Sequence, residues 1–238
     1  MNHLLSDARG FCIWFTGLPC SGKTTISRRL ARESEGHGRV VTLLDADDVR
    51  RVLCPDLGYS DEDRLKSLMR LAFVAREVVR HRGIAIVAAI SPREAQRQLI
   101  RRQFPKASFV QVWLSTPLAE CERRDVKGMY AEARKGRIPD FTGVNAPYEQ
   151  PCRSEIVCDT TASSIRKCVQ SILAELTLRG APFGETASAP PSLLGGLPDA
   201  NGVLPATLNG KVGHSTARAN RAALLGQAIV PLENRSHR

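Results

Sequence analysis

The chain has 238 residues, 42% of them hydrophobic and 24% charged, which is room for one large domain, or a medium domain with a tail, around a real core. Its formal net charge of +10 is spread along helical patterns and mixed with acidic residues, with no basic run interleaved with aromatics. The charge therefore points to a solvated surface or a small anionic substrate, and no nucleic-acid partner is expected. No run of about eighteen apolar residues occurs and the opening MNHLLSDARG lacks the order of a secretory signal, so no membrane is expected and the localisation reads as cytoplasmic.

In chain order, five apolar runs stand out: FCIWF (11–15), RVVTLL (39–44), IAIVAAI (84–90), SFVQVWL (108–114) and EIVC (155–158). They are nearly continuous rather than alternating, as strands buried on both faces are, and helical patterns separate them. The expected fold is α/β, with a mostly parallel five-stranded sheet flanked by helices, over residues 1–180. Ser60, three residues before Asp63, reads as a helix cap. Ser91, followed by Pro92 and Glu94, reads as a capping box. Over 61–82 the residues Leu65, Leu68, Met69, Ala72, Ala75 and Val79 recur at helical spacing and predict one core-facing stripe.

The stretch 125–151 is long and charged, contains Gly128, Gly136 and Gly143, and has no strong periodicity, which suits a mobile lid. From 181 to 238 the composition turns to Gly, Pro, Ala and Ser, predicting a flexible C-terminal tail with one short helix near 215–228. The seven cysteines show no zinc spacing and read as reduced residues of a core.

The chemistry begins at GLPCSGKTT, residues Gly17, Leu18, Pro19, Cys20, Ser21, Gly22, Lys23, Thr24 and Thr25. It satisfies G-x-x-x-x-G-K-[ST] between a predicted strand and a predicted helix, the context in which that pattern cradles a polyphosphate. The loop amides and the helix N-terminus favour the phosphates, Lys23 bridges the terminal ones and the Thr24 hydroxyl ligates Mg²⁺. No guanine-reading N-K-x-D follows, so ATP is the expected nucleotide.

The strand at 39–44 runs into DADDVR, placing Asp45, Asp47 and Asp48 past a strand's carboxyl end, where open α/β sheets collect ligands. One carboxylate there organises Mg²⁺ and another takes a proton from an attacking hydroxyl. The plainer reading makes Asp47 or Asp48 a helix cap; Asp159 reads as a cap for the last helix. From the residues alone, a kinase of a small hydroxyl-bearing compound, a nucleotide-binding regulatory module and a nucleic-acid-directed kinase remain open, the last to be distinguished by a steep fall of affinity with salt.

FTGLPCSGKTT, LLDADDVR, DLGYSDEDR, AISP, TPLAECERRDVKGMY and DFTGVNAPYE occur in the order and spacing of adenylylsulfate kinases, and over about residues 11–178 the chain resembles that family. The resemblance implies transfer of the γ-phosphoryl of ATP to the 3′-hydroxyl of adenylyl sulfate, giving 3′-phosphoadenylyl sulfate in sulfate activation. It implies a P-loop NTPase fold, ATP and Mg²⁺ as cofactors, a homodimer and an ATP sulfurylase partner. It makes Asp47 the base and Asp45 its neighbour at the metal, with Lys23 also catalytic. Arg50 and Arg64 hold the phosphosulfate; Tyr59, Ile90, Ser91 and Phe141 line the adenylyl sulfate pocket. Lys127 reaches the substrate and Arg124 the ATP. Ser67 stands where the family uses asparagine near the substrate, and Arg93 where it tends to have an aromatic.

Overall fold

The computed structural model describes residues 9–180; the tail expected over 181–238 lies outside the described residues. The strands are β1 (Phe11–Gly17), β2 (Val41–Asp45), β3 (Ile84–Ala88), β4 (Phe109–Leu114) and β5 (Ile156–Cys158). They form one sheet in the order β2-β3-β1-β4-β5, and every neighbouring pair is parallel. Each expected run is a strand, with ends shifted by at most two residues.

The continuous apolar runs follow from helices on both faces. Phe11, Ile13 and Phe15 of β1 pack on one face with Ile26 and Leu30 of α1 (Lys23–Gly36) and Val169, Ile172 and Leu176 of α7 (Ile165–Leu178). Cys12 and Trp14, alternating with them, face the other side, where α3 (Asp61–Arg80) supplies Leu68, Leu71, Ala72, Ala75 and Val79 and α4 (Glu94–Arg101) supplies Ile100. Each of the larger of these side chains contributes about 1.5–3 kcal/mol by burial. The α3 stripe is the expected one, except that Leu71 is buried while Leu65 and Met69 stay partly exposed.

Because β1 lies between β3 and β4, the chain leaves it in one direction to build β2 and β3 and in the other to build β4 and β5. That reversal opens a crevice at the carboxyl ends of the strands. Around it lie α2 (Ala46–Leu53), α5 (Leu118–Arg124) and α6 (Met129–Arg134).

Several local expectations need correction. The Ser60 hydroxyl does cap α3, accepting from the Asp63 N–H at 3.1 Å. Ser91 caps nothing: α4 starts at Glu94, after Arg93, and Ser91 is buried with φ 46°. Its hydroxyl is already used by the Trp14 indole N–H, 2.9 Å away. The cap of α2 is neither Asp47 nor Asp48 but Asp45, and the cap of α7 is Ser164, while Asp159 accepts from Thr161. The 125–151 stretch is not all loop, since α6 forms within it; Asp125 accepts from the Tyr130 and Ala131 N–H groups near its start. All seven cysteines are free thiols; five are buried, Cys20 is partly exposed and Cys152 exposed.

Candidate active site

The loop 17–25 joins β1 to α1. Gly17 has φ 152°, and a Cβ there would lie 2.8 Å from the Ser21 hydroxyl and 2.9 Å from the Leu114 carbonyl, so only glycine permits this close turn. Gly22 precedes α1 in the left-handed region, and no side chain caps the helix. Its first N–H groups are thus left for an anion, with the helix dipole behind them. The Ser21 hydroxyl, fully buried in the same loop, has no partner among the described residues.

Lys23 Nζ folds back onto its own loop, donating to the Gly17 carbonyl at 2.9 Å and the Leu18 carbonyl at 2.7 Å. Burial pushes its ammonium down to about 8 from 10.5, with nearby thiol and carboxyl groups pulling the other way. Thr24 Oγ1 donates to Asp45 Oδ2 at 2.7 Å, and Asp45 Oδ1 accepts from the Asp47 N–H at 3.1 Å. One carboxylate therefore links the phosphate loop to the start of α2, and the cap fixes where Asp47 projects. Asp47 is exposed and accepts from Lys127 Nζ at 2.6 Å, an ion pair that holds the Lys127 ammonium above its usual range. Asp48 is drawn aside by Arg51.

On the opposite flank of the loop, Arg124 donates to Glu120 at 2.7 Å and to the Thr160 hydroxyl at 2.8 Å; Thr160 Oγ1 lies 3.3 Å from the Ser21 carbonyl. With Gly22, Thr25, Ser163 and Ile165 these two line a hollow of about 220 Å³ beside the phosphate loop. The sequence signal for Thr160 is the hydroxyl pair that follows Asp159 in CDTT, which no motif singles out.

The residues expected at the acceptor fall into two groups. Arg50 lies 4.4 Å over the ring of Tyr59 and donates to the carbonyls of Leu57, at 3.2 Å, and Gly58. Arg64 donates to the Tyr59 carbonyl at 2.7 Å, the Thr142 hydroxyl at 3.0 Å and the Asp140 carbonyl. Ser67 and Ile90 are partly exposed.

Ser91 and Phe141, in contrast, are interior. Phe141 is 6% exposed, edge-on to Tyr130 with ring centroids 4.9 Å apart, in a cluster with Cys121 and Ala133. In this arrangement its ring faces that cluster, not an open acceptor pocket. Tyr130 in turn donates its hydroxyl to the Pro19 carbonyl at 3.1 Å, tying α6 to the phosphate loop.

Residues 9–159 match the adenylylsulphate kinase family. An adenylyl-sulfate kinase of a Synechococcus strain is 45% identical over 172 residues, covering 72% of this chain and 97% of its own. Among solved structures, an APS kinase of Mycobacterium tuberculosis in complex with AMPPNP and APS superposes with a TM-score of 0.68 at 38% identity, over 71% of this chain and 98% of that one. A hexameric APS kinase from Thiobacillus denitrificans gives a TM-score of 0.55 at 35% identity, over 74% of this chain and 30% of that longer one. The phosphate loop, the carboxylates after β2 and these likenesses agree: the chain belongs to the adenylylsulphate kinase family.

Proposed function

We propose that the protein transfers the γ-phosphoryl group of ATP to the 3′-hydroxyl of adenylyl sulfate, releasing ADP and 3′-phosphoadenylyl sulfate. The observation that carries this reading is the chain of contacts Thr24–Asp45–Asp47–Lys127, which brings a phosphate loop, a metal-competent carboxylate, an exposed carboxylate and a lid lysine to one point. The ligands of the Mycobacterium tuberculosis structure, AMPPNP and APS, support the choice of both substrates.

The phosphates take the uncapped N-terminus of α1 and the loop amides, and Lys23 turns from its two carbonyls to the transferring group. Arg124 and Thr160 flank the hollow into which the rest of the ATP extends. Thr24 and Asp45 present a hydroxyl and a carboxylate, hard oxygen donors of the kind Mg²⁺ takes alongside substrate phosphates and water. When bound, the ion neutralises charge on the phosphates. Asp47 accepts the proton of the 3′-hydroxyl as its oxygen attacks phosphorus and the bond to the β,γ-bridging oxygen breaks. Lys127 leaves Asp47 for the substrate, and Arg50 and Arg64 exchange carbonyl partners for the oxyanions of adenylyl sulfate, to which guanidinium groups bind strongly. For Tyr59, Ile90, Ser67 and Phe141, the family resemblance supports a place around the adenylyl group; Phe141 reaches it only if its cluster opens.

The resemblance also supports a cytoplasmic homodimer supplied by an ATP sulfurylase. No described helix is long and apolar enough to cross a membrane. A different small hydroxyl compound is the second reading, favoured by Ser67 in the place of the family's asparagine.

The test is ADP release with Mg-ATP, comparing adenylyl sulfate, no acceptor and a panel of small hydroxyl compounds. Strong stimulation by adenylyl sulfate alone is the expected result. Stimulation by another acceptor, or by none with ATP still bound, overturns the assignment.

A further inference from the structure

Arg93 lies between β3 and α4, outside the phosphate loop. Its guanidinium forks: Nη2 donates to Asp61 Oδ2 at 3.0 Å and Nη1 to Glu149 Oε1 at 3.3 Å. Asp61 opens α3 and so shares a helical turn with Arg64. Glu149 ends a strap, residues 140–149, whose beginning Arg64 holds through Thr142 and Asp140. Two arginines thus fasten the two ends of one strap to one turn of one helix.

The Glu149 end is a fixed post. Its Oε2 accepts from the Glu94 N–H at 2.7 Å, its N–H donates to the Pro92 carbonyl at 2.8 Å, and its carbonyl accepts from Arg97 Nη2 at 2.7 Å. Arg97 is 1% exposed, pairs with Glu94 and donates to the Ser91 carbonyl at 2.7 Å. The neighbouring Tyr148 hydroxyl is 2.9 Å from Thr16 Oγ1, on the central strand β1. Asp61, at the far side of Arg93, is exposed and has no comparable support.

We propose that Arg93 is a positioning residue for the acceptor: by spanning Asp61 and Glu149 it sets the spacing between the first turn of α3, which carries Arg64 and follows Tyr59, and the 140–149 strap. The inference rests on the adenylyl sulfate reading of that side of the crevice. It gives a physical role to a position where the family tends to have an aromatic, since the guanidinium here has a carboxylate on each side. Pairs this exposed add little to global stability, so the bridge acts on position and leaves the fold standing without it.

The experiment compares Arg93→Ala, Asp61→Asn, their double variant and Arg93→Lys in the full-length protein. Arg93→Ala should raise the KM for adenylyl sulfate about two- to fivefold, the upper range of a lost surface charge pair, with kcat and the KM for ATP nearly unchanged. Asp61→Asn should do the same more weakly and add little in the double variant, because both remove one contact. Arg93→Lys should restore part of the loss.

Backbone hydrogen exchange of the ligand-free protein is the independent readout. In Arg93→Ala, amides of 59–64 and 141–146 should exchange faster while α1 and α7 stay as they were. Unchanged exchange in both segments, or equal effects on the KM for both substrates, overturns the proposal. A wild-type protein that adenylyl sulfate does not stimulate overturns the acceptor reading instead, and the exchange comparison still decides whether Arg93 couples the two segments.

Discussion

Lys23 should make nucleotide binding depend on pH in a way that reports its burial. In the empty protein its ammonium is pushed down to about 8 from 10.5 while it donates to the Gly17 and Leu18 carbonyls. Phosphate oxygens in place of neutral carbonyls favour the charged form, so binding near pH 9 must be accompanied by proton uptake at Lys23. At pH 9 roughly one empty molecule in eleven carries the charge, so apparent affinity should fall about tenfold relative to pH 7, with uptake of ~0.9 proton. The nucleotide's phosphates are fully ionised throughout this range and contribute no slope. Calorimetric titration of Mg-ADP at pH 9, in buffers of different ionisation enthalpy, measures the uptake directly. Lys23→Met should abolish it together with turnover. Uptake below ~0.2 proton in the wild type, or an affinity that holds level to pH 10, would refute the argument.

The same shift has a stability consequence of defined sign. Folded Lys23 binds fewer protons than unfolded Lys23 between about 8 and 10.5, so it costs stability fully below pH 8 and the cost fades as pH rises through that window. The gap corresponds to ~3 kcal/mol, an upper bound because the side chain is partly exposed and keeps two carbonyl acceptors. In urea unfolding of the empty protein, the wild type should gain on Lys23→Met between pH 7.5 and 10.5, two pH values bracketing the window. A difference that stays flat would contradict the burial of the ammonium.

Two other perturbations separate chemistry from packing. Asp47→Asn keeps the size of an exposed side chain, so turnover with adenylyl sulfate should fall by about 10²–10⁴ while the thermal midpoint hardly moves; near-normal turnover would remove Asp47 from the role of base. Ser91→Ala leaves the Trp14 indole N–H, in the buried core, without its acceptor, and should cost about 1–3 kcal/mol in denaturant unfolding. A cost under ~0.5 kcal/mol would show that the indole finds another partner.

The fold was legible wherever burial on both faces wrote itself as an apolar run, as in FCIWF and IAIVAAI, and wherever a helix face was read against the sheet, as in Leu68, Ala72, Ala75 and Val79. The phosphate loop was legible because its backbone shape demands glycine at Gly17 and Gly22. What stayed hidden depended on partners distant in the chain. Ser91 satisfies a cap pattern locally, yet its hydroxyl answers Trp14, 77 positions away. Asp45, Asp47 and Asp48 are equivalent as letters; only the path of β2 into α2 makes the first a cap and bridge to Thr24 and leaves the second exposed. Arg93 read as a departure from a family pattern because its partners, Asp61 and Glu149, lie 32 positions before it and 56 after.

These contacts share a feature in how the cations of the site are held. Lys23 rests on loop carbonyls, Lys127 on Asp47, Arg50 on the carbonyls of Leu57 and Gly58, and Arg64 on Asp140, Thr142 and Tyr59. Every cation assigned to a phosphate or sulfate oxygen already holds an oxygen of the protein in its place. Neutral carbonyls are weaker partners than oxyanions, so each exchange on binding favours the ligand. Asp47–Lys127 differs, because there the lysine holds a full opposite charge and not a neutral carbonyl. In the mechanism proposed above, departure of Lys127 frees Asp47 Oδ2, and it is the exchange in which the substrate must outcompete a carboxylate.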